Sequence, residues 1–140
     1  MKLEFRGLED AGDWDWVCSQ VPIVACQDTS GIIAVSEGER VAACILDNWS
    51  HSSVQFHIMI TSPFVLRAGF MEVCADHVFN KCKRETIHGY IPADNVKSVR
   101  LARHTGFKVA VRLKDAWKKG VDYLIVEMRK EDCTFLPEAT

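Results

Sequence analysis

Several groups of side chains in this sequence have types and spacings that could do chemistry. His57 lies in "VQFHIMI", residues 54–60, where Val54, Phe56, Ile58 and Ile60 alternate with Gln55, His57 and Met59. A histidine titrates near ~6.5 and can take a proton from an ammonium directly or through a water. On a strand of period two it faces opposite to Phe56 and Ile58, so it is either a base at a site or a half-buried structural histidine. The stretch "DNVKSVRLARHTGF", Asp94 to Phe107, puts Asn95 and Ser98 at a helix start, with Arg100 and Arg103 further along. An asparagine there caps backbone N–H groups without any ligand, and such arginines serve either a phosphate or the solvent. Cys74-x-x-His77 puts two metal-ligand types on one helical face, with Cys82 further on. No second pair accompanies them, and structural zinc takes four ligands, so no metal is expected. No paired motif marks a nucleophilic thiol either.

The elements that must position these groups follow from hydrophobic period and punctuation. Residues 2–6 read as a first strand, and 10–20, "DAGDWDWVCSQ", as a short helix or an irregular turn. In "GIIAVSEGERVAACILDNW" two apolar, β-branched runs flank Glu37-Gly38-Glu39, which predicts a β-hairpin. After "VQFHIMI" and Pro63, the residues Leu66, Phe70, Val73, Cys74 and Val78 recur at spacings of three to four, which predicts one amphipathic helix of roughly 16–18 residues. "TIHGYI" is a strand. Asp94 or Asn95 starts the next helix and Gly106 sits just past its end. "FKVAVRL" and "DYLIVEMR" form a closing antiparallel pair. The strand–helix–strand unit in the middle implies a parallel pairing, so the chain reads as a mixed α/β arrangement in a single domain, residues 1–140.

Composition narrows the classes. With 48% hydrophobic and 26% charged residues over 140 positions, a packed core is expected. A net charge of −2 argues against a nucleic-acid binder. No apolar run approaches the ~20 residues that span a bilayer, and no membrane role is expected. Acids stand where a signal peptide would be apolar, and six scattered cysteines suit buried thiols, so a cytoplasmic protein is expected.

The element order, together with "VQFHIMI" plus its loop and long helix, the stretch "DNVKSVRLARHTGF" and the closing "VRLKDAWKKGVDYLIVEMRKEDCTFL", resembles the GNAT superfamily of acyl-CoA-dependent N-acyltransferases. The resemblance covers chiefly residues 54–136. Its second part is similar to the family pattern N-x-x-[AS]-x-x-[LF]-x-x-x-x-G-F. Its third part looks like the end of small GNAT-like proteins of bacteriophages and mobile elements.

That resemblance implies a mixed, splayed central sheet of about six to seven strands flanked by helices, with acyl-CoA, acetyl-CoA foremost, lying in the splay. By the resemblance, the pantetheine arm pairs with the fourth strand at Ile58, Met59, Ile60 and Thr61. The pyrophosphate rests at the head of the next helix, at Arg67, Ala68, Gly69 and Phe70, where free N–H groups and partial positive charge favour an anion. The loop reads "TSPFVLRAGF" and departs from the family's [QR]-x-x-G-x-[GA]. Asn95 and Ser98 would face the cofactor arm, Arg100 and Arg103 could reach the 3′-phosphate, and His57 would be the base. The family's acidic tyrosine falls at Ala102, which has no proton to give, leaving Tyr90, Cys74 or water. Trp14, Trp16, Trp49 and His51 could line an acceptor pocket, with Asp13, Asp15 and Asp47 attracting an amine; tryptophans equally serve to cover a sheet. The expected activity is acyl transfer to an amine on a small molecule or a protein side chain. A weakened GNAT-like domain that binds a host protein, or forms a homodimer, is the alternative.

Overall fold

The computed structural model describes residues 2–21 and 23–139. Its elements run β1 (Leu3–Gly7), α1 (Ala11–Gln20), β2 (Ser30–Ser36), β3 (Glu39–Asp47), β4 (Ser53–Ile60), α2 (Phe64–Arg67), α3 (Phe70–Ala75), β5 (Thr86–Pro92), α4 (Val96–His104), β6 (Lys108–Lys118) and β7 (Val121–Arg129). A π-helical turn, Asp76–Lys81, prolongs α3, and a short 3-10 turn, Lys130–Asp132, follows β7. The segment 10–20 is thus a helix rather than a turn. Asp10 caps it by accepting from the Asp13 amide at 2.9 Å.

The strands form one open sheet in the order β1-β2-β3-β4-β5-β7-β6. Every neighbouring pair is antiparallel except β4–β5, which is parallel. The expected parallel pairing and closing hairpin are both present. Sequence period gave no sign that β7 would enter between β5 and β6. The β2–β3 hairpin turns on Glu37 and Gly38, with φ of 50° and 82°, the two left-handed residues that a type I′ turn requires.

The amphipathic segment after Pro63 keeps its expected phase, since Phe70, Cys74 and Val78 are buried. It is not one continuous helix. Gly69 takes φ 96°, a left-handed conformation that ends α2 and restarts the chain as α3. The stop on α4 is the expected one. Gly106 (φ 102°) donates to the Arg103 carbonyl at 3.1 Å and Phe107 to the Ala102 carbonyl at 2.9 Å, the paired bonds of a Schellman cap.

The sheet has two differently covered faces. One face packs Cys44, Leu46, Val54, Ile87, Val126 and Met128 against Phe70, Cys74 and Val78 of the long helical segment and Ala102 of α4. On the other, Val17 of α1 sits with Ile33, Ala43, Ile45 and Met59, so α1 covers only β2 to β4.

Candidate active site

The β4–β5 pairing is short. Ser53 opposes Thr86, Val54 opposes Ile87 and Gln55 opposes His88; no pairing continues beyond. The strands therefore fork immediately after Gln55 and His88, the expected splay. Gly89 stands at the crotch, where an added Cβ would lie 3.2 Å from the Phe56 ring and 3.3 Å from its carbonyl oxygen. On the helix-packed face, Phe56 fills the fork and stacks on Phe107 with ring centroids 4.9 Å apart.

His57 is the next residue of β4 beyond the fork on the α1-covered face. Its Nε2 lies 3.1 Å from each carboxylate oxygen of Asp47, at the end of β3. Both side chains are about three-quarters buried. A carboxylate on one ring nitrogen holds that N–H and leaves the other nitrogen basic. Gln55 and His57 of β4, His88 and Tyr90 of β5, and Glu127 and Ile125 of β7 share this face by register. His88 lies between two carboxylates, Asp47 and Glu127. Burial nonetheless pushes its imidazole below its usual value, against the pull of both acids.

Backbone phase decides which groups of β4 are free. The Thr61 amide donates to the Val41 carbonyl at 2.9 Å, and the opposed register runs Ala42–Ile60, Ala43–Met59 and Cys44–Ile58. Antiparallel pairs alternate between bonded and unbonded, so Met59 and Thr61 spend their backbone groups on β3. Those of Ile58 and Ile60 turn towards the fork. The Thr61 hydroxyl also goes to Val41, at 3.0 Å. Of the sequence-picked quartet, Ile58 and Ile60 have backbone aimed into the splay and Met59 and Thr61 do not.

Arg67 is exposed at the end of α2 and Ala68 follows it, while Gly69 and the buried Phe70 open α3. A residue not singled out from the sequence stands there too. Glu72 Oε2 is 3.2 Å from where a Cβ on Gly69 would be, so a carboxylate folds back on the start of α3, a natural place for one on a helix N-terminus. A phosphate seated there, as the resemblance implies, would meet that charge. Glu72→Gln is therefore expected to tighten binding of CoA about three- to tenfold, at a helix cost of about 0.3–1 kcal/mol, measured by calorimetric titration. Unchanged affinity would place the phosphates elsewhere.

On α4, the Asn95 side-chain oxygen accepts from the Ser98 amide at 3.2 Å, so Asn95 acts as its own helix cap. Ser98 is half-buried, and Ala102 belongs to the main core, so the family's tyrosine position is a packing position here. Arg100 and Arg103 are exposed and share a groove with Ala93, Val96, Val99 and His104, on the side of the helix away from Ala102.

Other sequence candidates lie elsewhere. Asp13 cannot attract an amine: it is fully buried and accepts from Arg6 at 2.7 and 3.1 Å, from Arg40 at 2.8 Å and from the Glu9 amide at 2.9 Å. Trp14 and Trp16 pack on the α1 side of the core. Trp49 and His51 sit in the β3–β4 turn, at the paired end of β4. There the Trp49 indole donates to the Asp28 carbonyl at 2.8 Å and stacks under Arg84. Cys74 is buried beside Cys44, which pushes its thiol well up, so it is no proton donor to a thiolate. His77 and Cys82 approach to 3.5 Å, but Cys74 points into the core and does not join them. Tyr90 does lie at the fork and is 38% exposed. Sequence reasoning missed His88 and Glu127. The signal existed, because "TIHGYI" and "DYLIVEMR" alternate, but facing needed the β5–β7 register.

No family model and no curated protein sequence matches the chain. Solved structures do. The spermidine/spermine N-acetyltransferase SpeG from Vibrio cholerae aligns at TM-score 0.76 and 14% identity, over 92% of this chain and 93% of that one. The spermidine N-acetyltransferase from Vibrio cholerae in complex with CoA and spermine aligns at TM-score 0.73 and 16% identity, over 93% and 96%. The N-acetyltransferase PseH from Campylobacter jejuni in complex with acetyl coenzyme A gives TM-score 0.59 and 13% identity, over 75% and 70%. The open seven-stranded mixed sheet with its flanking helices matches the fold of these acetyltransferases, and the fold of this chain is the GNAT fold.

Proposed function

We propose that this protein is an acyl-CoA-dependent N-acyltransferase that moves an acetyl group from acetyl-CoA to an amine. The observation that carries this reading is the fork at Gln55 and His88, with the His57–Asp47 pair one step beyond it on the α1 side of the sheet. An amide-rich pantetheine arm can add to the free Ile58 and Ile60 backbone as a short strand. An N–H of β4 aimed at the thioester carbonyl stabilises the oxygen as charge develops there. His57 takes a proton from the acceptor ammonium, and the amine nitrogen then forms a bond to the carbonyl carbon. The C–S bond breaks and the CoA thiolate leaves, taking its proton from Tyr90 or a water, while nitrogen loses its second proton to solvent. Asp47 holds the His57 ring in place for that transfer.

The acceptor is an amine on a small molecule or a protein. That neighbours of this fold act on spermidine supports the amine class. Among the described residues no helix is long and apolar enough to cross a membrane. The six cysteines are unpaired, which suits a reducing cytoplasm.

Acetyl-CoA at about a hundredfold above its dissociation constant should add about 2.7 kcal/mol of stability. The thermal midpoint should rise by several degrees, and free thiol should appear when an amine is added. No shift at millimolar acetyl-CoA removes the enzyme reading. The Glu72 carboxylate at the start of α3 and the core position of Ala102 favour a weakened domain that binds a protein instead. The same measurement separates the two.

A further inference from the structure

The sheet face that carries His57 is only half covered, because α1 packs over β2 to β4. Over β5, β7 and β6 no helix lies among the described residues, and the uncovered surface is largely aromatic. Tyr90 opposes Ile125, and Tyr123 lies two residues from Ile125 on the same face. The Tyr90 and Tyr123 rings are 5.3 Å apart at 54°, and Trp117 meets Tyr123 at 5.4 Å and 51°. Leu113, opposite Tyr123, extends the surface. Trp117 is 47% exposed and Tyr90 38%. These side chains are too large and too open to be explained by the core.

Charge on this face is arranged unevenly. The carboxylates Asp47 and Glu127 lie at the fork beside His57 and His88, and Lys108, opposite Glu127, pairs with Asp132 at 3.8 Å. The far end, the β6–β7 hairpin, carries Lys114, Lys118 and Lys119, while Arg112 opposes the buried Leu124 and so lies on the other face. Its two acids offset part of that charge. Asp122 accepts from Arg112 at 2.8 Å and from the Asp115 amide at 3.0 Å, and Asp115 accepts from the Gly120 amide at 3.0 Å. An ammonium is therefore attracted at the fork, and the aromatic ladder beside it is left to take the body of the acceptor.

We infer that the Tyr90–Tyr123–Trp117 surface is the acceptor-binding wall, and that it selects an amine with an aromatic body. This rests on the acyltransferase reading above. The ammonium sits between Asp47 and Glu127 within reach of His57, and the ring packs in offset or edge-on contact with Tyr123 and Trp117. The preference differs from that of the spermidine acetyltransferases that share the fold.

The test uses phenethylamine, n-propylamine and spermidine as acceptors, with thiol release for turnover and NMR line-broadening of each amine for binding in the presence of CoA. Phenethylamine should exceed both others in kcat/KM by tenfold or more. Trp117→Ala, at an exposed position, should raise the phenethylamine KM about tenfold and leave kcat and acetyl-CoA affinity unchanged. Spermidine as the equal or better acceptor overturns the inference, as does an unmoved KM in Trp117→Ala or the absence of line-broadening by phenethylamine. If acetyl-CoA itself fails to shift the thermal midpoint, the acyltransferase reading fails; if it shifts the midpoint and the aromatic preference is absent, only this inference fails.

Discussion

Replacing Asp13 with alanine is expected to lower folding stability by about 3 kcal/mol, the lower end of the ~3–5 kcal/mol for breaking a buried ion pair. Its carboxylate is fully buried and takes charged hydrogen bonds from two arginines. Removing it leaves Arg6 and Arg40 facing each other across a space built for an anion. Their side chains are 20% and 31% exposed, so water can partly repair the loss, which sets the lower end. Asp13 also ties β1 and β3 to α1, so the loss should spread to the whole α1 side. Urea unfolding checks this, and a midpoint change equivalent to less than about 1 kcal/mol would show the cluster to be dispensable. The hydrogen bond from Arg6, above all, holds the Asp13 carboxyl well below the usual carboxylate range. Its stabilisation is present above the unfolded value near ~3.9 and is lost as pH falls below it towards the folded value. The wild-type urea midpoint should therefore fall more steeply than that of Asp13→Asn from about pH 5 downwards.

That cluster shows where sequence reading stopped. Asp13 was visible as one acid near two tryptophans, and an acid near aromatics suits an amine. Nothing local announced that Arg6 and Arg40 would converge on it, because Arg40 is 27 residues away and arrives only through the β1–β2–β3 register. Features set by neighbours in the chain were legible: the Glu37-Gly38 turn, the Asn95 cap, the Gly106 stop and the alternation of β4. The helix after Pro63 was legible in phase but not in continuity. Apolar spacing carries across a break when the break rotates the chain little, and a glycine in a helical pattern is ordinarily tolerated at about 1 kcal/mol.

The site divides along the same line. His57 stood out because it is a lone imidazole on an alternating strand, facing opposite to Phe56 and Ile58. Its partner Asp47 was in view as a separate acid; their approach needed the β3–β4 turn to place residues ten apart on one face. Ile58 and Ile60 could not be separated from Met59 and Thr61 without the bonded phase of the β3–β4 ladder. His88, Glu127 and Tyr123 gained meaning only when β7 took its place beside β5. The same insertion leaves half of the face uncovered and sets the aromatic ladder beside the fork.

If His57 is the base, His57→Gln should lower kcat/KM about 10²–10⁴-fold, the usual contribution of a positioned proton acceptor. Glutamine keeps a hydrogen-bonding group near Asp47 but cannot take a proton, so acetyl-CoA affinity and the thermal midpoint should hold. Asp47→Asn should act more mildly. It keeps the shape of the pair and removes the charged hydrogen bond that holds the ring, so kcat should fall roughly tenfold with little change in KM. A purely structural role for the pair predicts the reverse pattern: lower stability and equal losses for both variants. The measurement is kcat and KM across about pH 6 to 9 for the wild type and both variants. Full activity in His57→Gln would take His57 out of the mechanism and leave His88, on the same face and already favouring its neutral form, as the next base to test.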